Sequence, residues 1–400
     1  MKFIHAADLH IDSPMRGLAS YEGSPIDEIR GKTRLAFVEL VDLAIVREVD
    51  FVLIAGDIFD SDWKDYSTGI FFSNQINRLA EENIEVIMIA GNHDAVSQIT
   101  KNLTLPPKVY KLSSTKPERV ILEHLDTEII GQSFHTRSVP DNLVLGYPDG
   151  DPSLFSIGLL HTSLNGRPGH DPYAPCTYTD LASKGYQYWA LGHVHNREVV
   201  SEDPWIVFPG NLQGRHIRES GSKGITLVET SGHEIQSVDH IELGSLYWQL
   251  VSISHSSTGL LEEVERKLVQ SMKPSKLNII RVELTLDLSS SLSLDHENLQ
   301  AEIYAIANSL DNIWIEKIKF KSSEPSQLIS FNDELLDQLK SEFLSMRSDV
   351  SAYESIREEH KQLSSVSREV FLELTEYHQL QEIIDESFEI ILDLIKGTDS

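Results

Sequence analysis

Two related stretches, Phe51-Val-Leu-Ile-Ala-Gly-Asp57 and Val86-Ile-Met-Ile-Ala-Gly-Asn-His-Asp94, decide the reading of the fold. Each begins as an uninterrupted apolar run of strand length, the pattern of a strand buried on both faces of a parallel sheet. Each then stops on a glycine followed by a polar side chain. Between them, Ile70, Phe71, Ile76 and Leu79 recur at helical spacing over Gly69 to Asn83, and upstream Leu35, Val38, Leu43 and Val46 mark another amphipathic stretch. The segment reads as β-α-β.

Working outward, Phe155–Leu160, Tyr186–Leu191 and Trp205–Phe208 supply further strand-like runs. The chain turns polar around Gly232 to Gly244. It resumes in a β-α-β-α-β order: Tyr247–Ile253, Gly259–Met272, Ile279–Leu286, His296–Asn308 and Trp314–Phe320. From about Ser326, apolar positions such as Leu335, Leu339, Phe343, Val370, Leu374, Ile383 and Ile391 recur at helical spacing among many acidic residues. Three regions are therefore expected: 1–240, a small α+β domain over 245–325, and an acidic helical region over 326–400.

Composition narrows the class. Four hundred residues exceed one typical core, and the 40% hydrophobic content can build several. The one cysteine, Cys176, rules out an internal disulfide framework and suits a reducing compartment. The opening residues lack an apolar leader and no stretch has the length of a membrane span, so a soluble, cytoplasmic protein is expected, with no membrane association. A net charge of -28 argues against a broad basic face for nucleic acid.

The polar residues that end the apolar runs form a pattern of their own. They are Asp8-Leu-His10, Gly56-Asp57, Gly91-Asn92-His93-Asp94, His161 and Gly192-His193-Val-His195. Collected along one sheet edge, they provide what a binuclear metal site needs: a bridging carboxylate, other oxygen ligands and neutral imidazoles. Two divalent ions about 3.5–4 Å apart can clamp the attacking and leaving oxygens of a phosphoryl transfer. Asp57, after a glycine that admits close approach, is the natural bridge. Asp8 and His10, two apart in an extended segment, leave one face together, and His193 and His195 repeat that geometry. Asn92 offers a neutral carbonyl, His161 ends a strand, and His93 sits beside a ligand yet points elsewhere, as a general acid should.

These motifs, in this order, resemble the calcineurin-like metallophosphoesterase superfamily. Phe3-Ile-His-Ala-Ala-Asp-Leu-His-Ile-Asp12 with Ala55-Gly-Asp-Ile-Phe-Asp60 is similar to its DNA repair exonuclease branch, which includes SbcD-like and YhaO-type proteins. The resemblance covers roughly residues 1–215 and implies a four-layer α/β/β/α sandwich. It implies that Asp8, His10, Asp57 and His195 hold a first metal, and Asp57, Asn92, His161 and His193 a second, with manganese as the usual ion. His93 is then the residue that orients or protonates the scissile phosphate. Some nuclease relatives carry a second active-site histidine where this sequence has Asp60, whose charge would repel phosphate unless turned away or hydrogen-bonded.

On that resemblance, 245–325 is a capping domain that holds DNA ends, and the helices of 326–400 dock an SMC-like ABC ATPase carrying the basic DNA surface. A homodimer through Arg34–Glu48 or Gly69–Asn83 is a further expectation. Arg215 and His216, in a basic cluster after Pro209-Gly210-Asn211, are candidate phosphate contacts. The expected activity is manganese-dependent DNA phosphodiester hydrolysis. The same motifs also serve phosphoesterases of small nucleotides or phosphomonoesters, and a scaffold for an ATPase is the third reading.

Overall fold

The computed structural model describes residues 1–13, 26–60, 66–96, 105–165, 173–255, 259–286, 295–322 and 341. By its contacts the chain divides into two units, Met1–Glu324 and Pro325–Ser400. Every element below belongs to the first. The helices expected over 326–400 lie outside the described residues, Ser341 excepted. No helix among the described residues is long and apolar enough to cross a membrane.

The chain starts with β1 (Lys2–Ala6), α1 (Ile26–Val46), β2 (Phe51–Ala55), α2 (Tyr66–Glu81), β3 (Glu85–Ile89) and β4 (Val109–Lys111). It continues through β5 (Glu118–Leu122), β6 (Thr127–Gly131), β7 (Phe155–His161), α3 (Tyr178–Ala182) and β8 (Tyr188–Gly192). Then come β9 (Glu198–Glu202), β10 (Trp205–Phe208), β11 (Gly224–Ser231) and β12 (Glu234–Glu242). Two six-stranded sheets result, in the orders β12-β11-β1-β2-β3-β4 and β5-β6-β7-β8-β10-β9.

Strand periodicity explains how the sheets stack, because alternate side chains leave opposite faces. In β2, Val52 and Ile54 meet Phe37, Leu40, Phe72 and Ile76 of α1 and α2. Phe51, Leu53 and Ala55 meet Ile157, Leu159, Tyr188 and Val207 of the second sheet. On the far side of that sheet, Leu160, Trp189, Leu191 and Phe208 are covered by Val144, Tyr147 and Leu181. The layers are thus helix, sheet, sheet, helix, the four-layer α/β/β/α sandwich. Strands buried on both faces must be apolar throughout, which is why Phe51–Ala55 shows no alternation.

The polar stretch after Gly232 is not a break: β12 pairs antiparallel with β11 at the sheet edge. Its polarity follows from that position, since an edge strand has one open flank and solvent on much of its surface.

The remaining elements are β13 (Leu246–His255), α4 (Leu260–Ser271), β14 (Leu277–Leu286), α5 (His296–Asn308) and β15 (Ile313–Ser322). Three parallel strands in the order β13-β14-β15 carry both helices on one face, around Val251, Val264, Leu268, Val282 and Ile303. The opposite face places Leu246, Trp248 and Ile279 against Ile29 and Ile217. Trp248 Nε1 donates to Gly214 O at 2.9 Å, so this layer is fastened to the segment that follows β10.

Candidate metal centre

The polar motifs all follow, or finish, β1, β2, β3, β7 and β8. Within each sheet these strands are parallel, so their carboxyl ends share an edge, the usual place for a ligand site in an α/β sheet. Beyond β1, Asp8 N, His10 N and Ile11 N donate to Gly56 O, Asp57 O and Ile58 O, each at 3.0 Å, so the first two motifs pair through their main chains. The last residue of β7, His161, faces the other sheet and its Nδ1 lies 2.9 Å from Ala55 O. A Cβ on Gly56, at φ +93°, would come 2.6 Å from that same Nδ1, so glycine is required there.

Several ligand candidates sit in left-handed backbone: Asp8 (φ 51°), His10 (φ 41°), Asp57 (φ 52°) and His193 (φ 98°). Non-glycine residues adopt this conformation at a cost, and such costs collect at functional sites. Asp94 supports the turn: its carboxylate accepts from Ile58 N and Phe59 N at 3.0 Å and from Gly91 N at 3.1 Å.

The side chains converge on three overlapping clusters, one of them His10, Asp60 and His93. Ligand atoms of Asp8, His10 and His195 lie within 4.8 Å of one another, and so do those of Asp8, Asp57 and His161. Asp57 Oδ2 is 3.6 Å from His161 Nε2 and 3.9 Å from His10 Nε2, a position between the clusters. Its Oδ1 accepts from His93 N at 2.9 Å. Asn92 Oδ1 is 2.9 Å from His161 Nε2, and the His193 ring lies 5.3 Å from that of His161. Asp8 accepts from His193 N at 3.0 Å, which ties the first motif to the last.

Around this ring stands a layer that holds the imidazoles. His10 Nδ1 is 2.8 Å from Asp60 Oδ1, and His195 Nδ1 is 2.6 Å from Glu219 Oε1. His93 Nδ1 is 3.3 Å from the same Asp60 oxygen. Arg215 reaches Asp60 at 3.4 Å and Glu219 at 2.8 Å. Asp60 is therefore hydrogen-bonded and charge-compensated, which answers the expected repulsion of phosphate.

Electrostatics agree with a cation site. Burial, then the charge of Asp57, pushes the Asp8 carboxyl well above its usual range, and burial raises Asp57 as well. Burial lowers His10 to about 3, with the Arg215 charge adding to it, and burial lowers His161 to about 4. Both are neutral at pH 7, the form that ligates metal. His10 Nε2 is buried without a hydrogen-bond partner. Close carboxylates, a neutral amide oxygen and such imidazoles fit a pair of divalent cations.

Every residue expected to bind metal is thus at this edge, with His93 beside them. Arg215 is turned inward to carboxylates, while His216 is half-exposed with Nε2 3.4 Å from Glu219 Oε1. Arg30-Gly-Lys-Thr-Arg34 is a second basic stretch, and its Arg34 pairs with Asp12 at 2.5 Å. Glu219 belongs to no motif of the sequence, nor does Tyr173, whose ring packs 5.2 Å from His193. The available signal for Glu219 was its placement four residues after Arg215, near a histidine motif.

The family model described as calcineurin-like phosphoesterase matches residues 1–197. The Bacillus subtilis protein described as uncharacterized metallophosphoesterase YhaO is 36% identical over 273 residues, 66% of this chain and 67% of that protein. The DNA double-strand break repair protein Mre11 of Sulfolobus acidocaldarius is 24% identical over 365 residues, 85% of this chain and 90% of its own length. Mre11 of Sulfurisphaera tokodaii is 26% identical over 294 residues, 67% of this chain and 68% of that protein.

Proposed function

The chain belongs to the calcineurin-like metallophosphoesterase family and is a metal-dependent phosphoesterase; on that premise we propose that it is a manganese-dependent nuclease that hydrolyses phosphodiester bonds of DNA. The observation that carries this reading is the reach of the similarity to Mre11. At 365 residues it extends far past the 1–197 of the family model, into the three-stranded layer of β13 to β15. A small-substrate phosphoesterase has less use for that layer.

When bound, the cation pair supplies Lewis-acid neutralisation of the charge that develops on the phosphoryl oxygens during in-line displacement. Asp8, His10 and His195 would hold one ion and Asn92, His161 and His193 the other, with Asp57 available to both. His93, partly exposed at the rim with Nδ1 toward Asp60, hands a proton to the departing ribose oxygen. The carboxylate of Asp60, 3.3 Å from Nδ1, orients the His93 ring for that transfer.

An acidic chain of net charge -28 engages DNA weakly by itself, so the same reading includes an SMC-like ABC ATPase with a basic surface, docked through 326–400. Pairing of two copies through α1 and α2 also belongs to it; Leu35 and Ile70 are exposed on those helices.

The test is a manganese-supplemented assay on end-labelled linear DNA, closed circular DNA, a nitrophenyl ester and cyclic nucleotides. Wild type is expected to cleave linear DNA, and Asp57→Ala and His193→Ala to lose that cleavage by more than about 100-fold, since even outer-layer changes at metal sites reach that size. Unchanged cleavage by Asp57→Ala sinks the assignment, and turnover confined to the small esters moves the substrate class.

A further inference from the structure

We propose that Asp60, Arg215 and Glu219 form a positioning bridge for one metal position only, the one built from Asp8, His10 and His195. The inference rests on the two-cation reading above and concerns what sets the two positions apart.

A carboxylate only accepts, so Asp60 and Glu219 each oblige the histidine beside them to carry its proton on Nδ1. The distances are 2.8 Å for His10 and 2.6 Å for His195. Both Nε2 lone pairs then face the site carboxylates, His195 Nε2 at 3.9 Å from Asp8 Oδ1 and His10 Nε2 at 3.9 Å from Asp57 Oδ2. Arg215 joins the two carboxylates. Its Nη1 lies 3.4 Å from Asp60 Oδ1, its Nη2 2.8 Å and Nε 3.3 Å from Glu219, and its main-chain N donates to Glu219 Oε2 at 2.8 Å. Asn211 Nδ2 donates to that same Glu219 oxygen at 2.9 Å.

The bridge is closed to solvent, with side-chain exposures of 10% for Asp60, 13% for Arg215 and 3% for Glu219. Two buried anions outside an acidic metal site would repel each other and the site; the guanidinium between them offsets that repulsion. Arg215 is therefore spent inside the protein, and its role is to place histidines rather than to grip substrate phosphate.

At the other position, one of the two imidazoles is held by a neutral group. His161 Nδ1 meets Ala55 O, a neutral main-chain carbonyl. An anionic acceptor makes an imidazole a stronger ligand than a carbonyl does, and it can be altered by substitution where a main-chain group cannot. The bridge thus gives the first position its own adjustable affinity, separate from the second.

The experiment is manganese titration of the full chain by calorimetry, with electron paramagnetic resonance to distinguish coupled ion pairs from single ions. Wild type is expected to bind two ions as a coupled pair. E219Q and D60N should each weaken one position by about 10–100-fold, leave the other unchanged, and show the signal of an isolated ion at intermediate manganese. H161Q should lose the opposite ion, and E219Q with H161Q should hold none where either single variant holds one. R215K, which keeps the charge, should retain more affinity than R215M. Thermal unfolding of the metal-free variants checks the fold; should E219Q fail to fold, D60N at the other end of the bridge decides alone.

Equal weakening of both positions, or no weakening in D60N and in E219Q, overturns the bridge while leaving the two-cation reading intact. Failure of the wild type to bind manganese overturns both.

Discussion

At Asp57 a buried carboxylate stands in left-handed backbone between two sets of imidazoles, and each of these features costs the fold something. Burial holds its carboxyl above the ordinary range. A folded-state value above the unfolded one means that ionisation works against folding as pH rises, so the metal-free chain bears this cost at neutral pH. Asp57→Asn keeps the shape, removes the charge and tolerates the same backbone. Its metal-free form should be more stable than wild type by about 0.5–2 kcal/mol, while manganese no longer raises its melting temperature. Calorimetry in chelator-treated buffer tests this, and a lower melting temperature for the variant refutes it. His5 behaves oppositely. It is fully buried between Tyr188 OH and Leu191 O, and burial lowers it to about 3 from 6.5. Between those values the unfolded chain takes up a proton that the folded chain refuses, so stability falls as pH drops below 6.5. His5→Gln should make the decline shallower, by up to about 2 kcal/mol at pH 5. Denaturant unfolding at pH 7 and pH 5 would show it, and parallel declines in the two proteins would exclude it. The candidate metal ligands are legible in the sequence because glycine and strand ends surround them. Glu219 is not, being one of 62 acidic residues whose meaning appears only when His195 faces it.

Among the elements, those with a buried stripe or an apolar run were the readable ones: α5 was expected over His296–Asn308 and is found there, and β10 likewise at Trp205–Phe208. Elements stabilised by an edge position were not. Glu234–Glu242 lacks strand alternation, its apolar residues Ile235, Val238 and Ile241 lying three apart and only partly buried, so what fixes β12 is its hydrogen bonding to β11 together with those partial contacts. The three-residue β4 is too short for any periodicity. Trp248 is the largest buried side chain in the attachment of the β13 to β15 layer, beside Leu246 and Ile279. Trp248 is 1% exposed, packs with Ile29 and Ile279, and donates its indole proton to Gly214 O beside Arg215. Trp248→Ala should destabilise the chain by about 3–5 kcal/mol, with Trp248→Phe losing less. Urea unfolding measures both, and a loss under about 1 kcal/mol for the alanine variant would mean that the layer is held elsewhere.

Across the whole molecule, the layered α/β class was readable from the β-α-β repeat, whereas the sheet order was not. The metal-binding edge is assembled from strands on both sheets, and what aligns them is the Phe51, Leu53, Ile157 and Leu159 interlayer together with the contact from His161 to Ala55. Pairing across such distances in sequence leaves no local signal. The place of β1 illustrates this, since it runs parallel to β2 on one side and antiparallel to β11 on the other. That arrangement also governs the order of events during synthesis. A nascent chain that has passed the ribosome as far as His195 already contains every candidate metal ligand, yet the flank of β1 that will receive Gly224–Ser231 is still bare, and Glu219 has not been made. Long-range strand pairing comes late in folding. A fragment ending before Glu219 and β11 therefore carries the candidate ligands without the carboxylate beside His195 and without the strand that flanks β1.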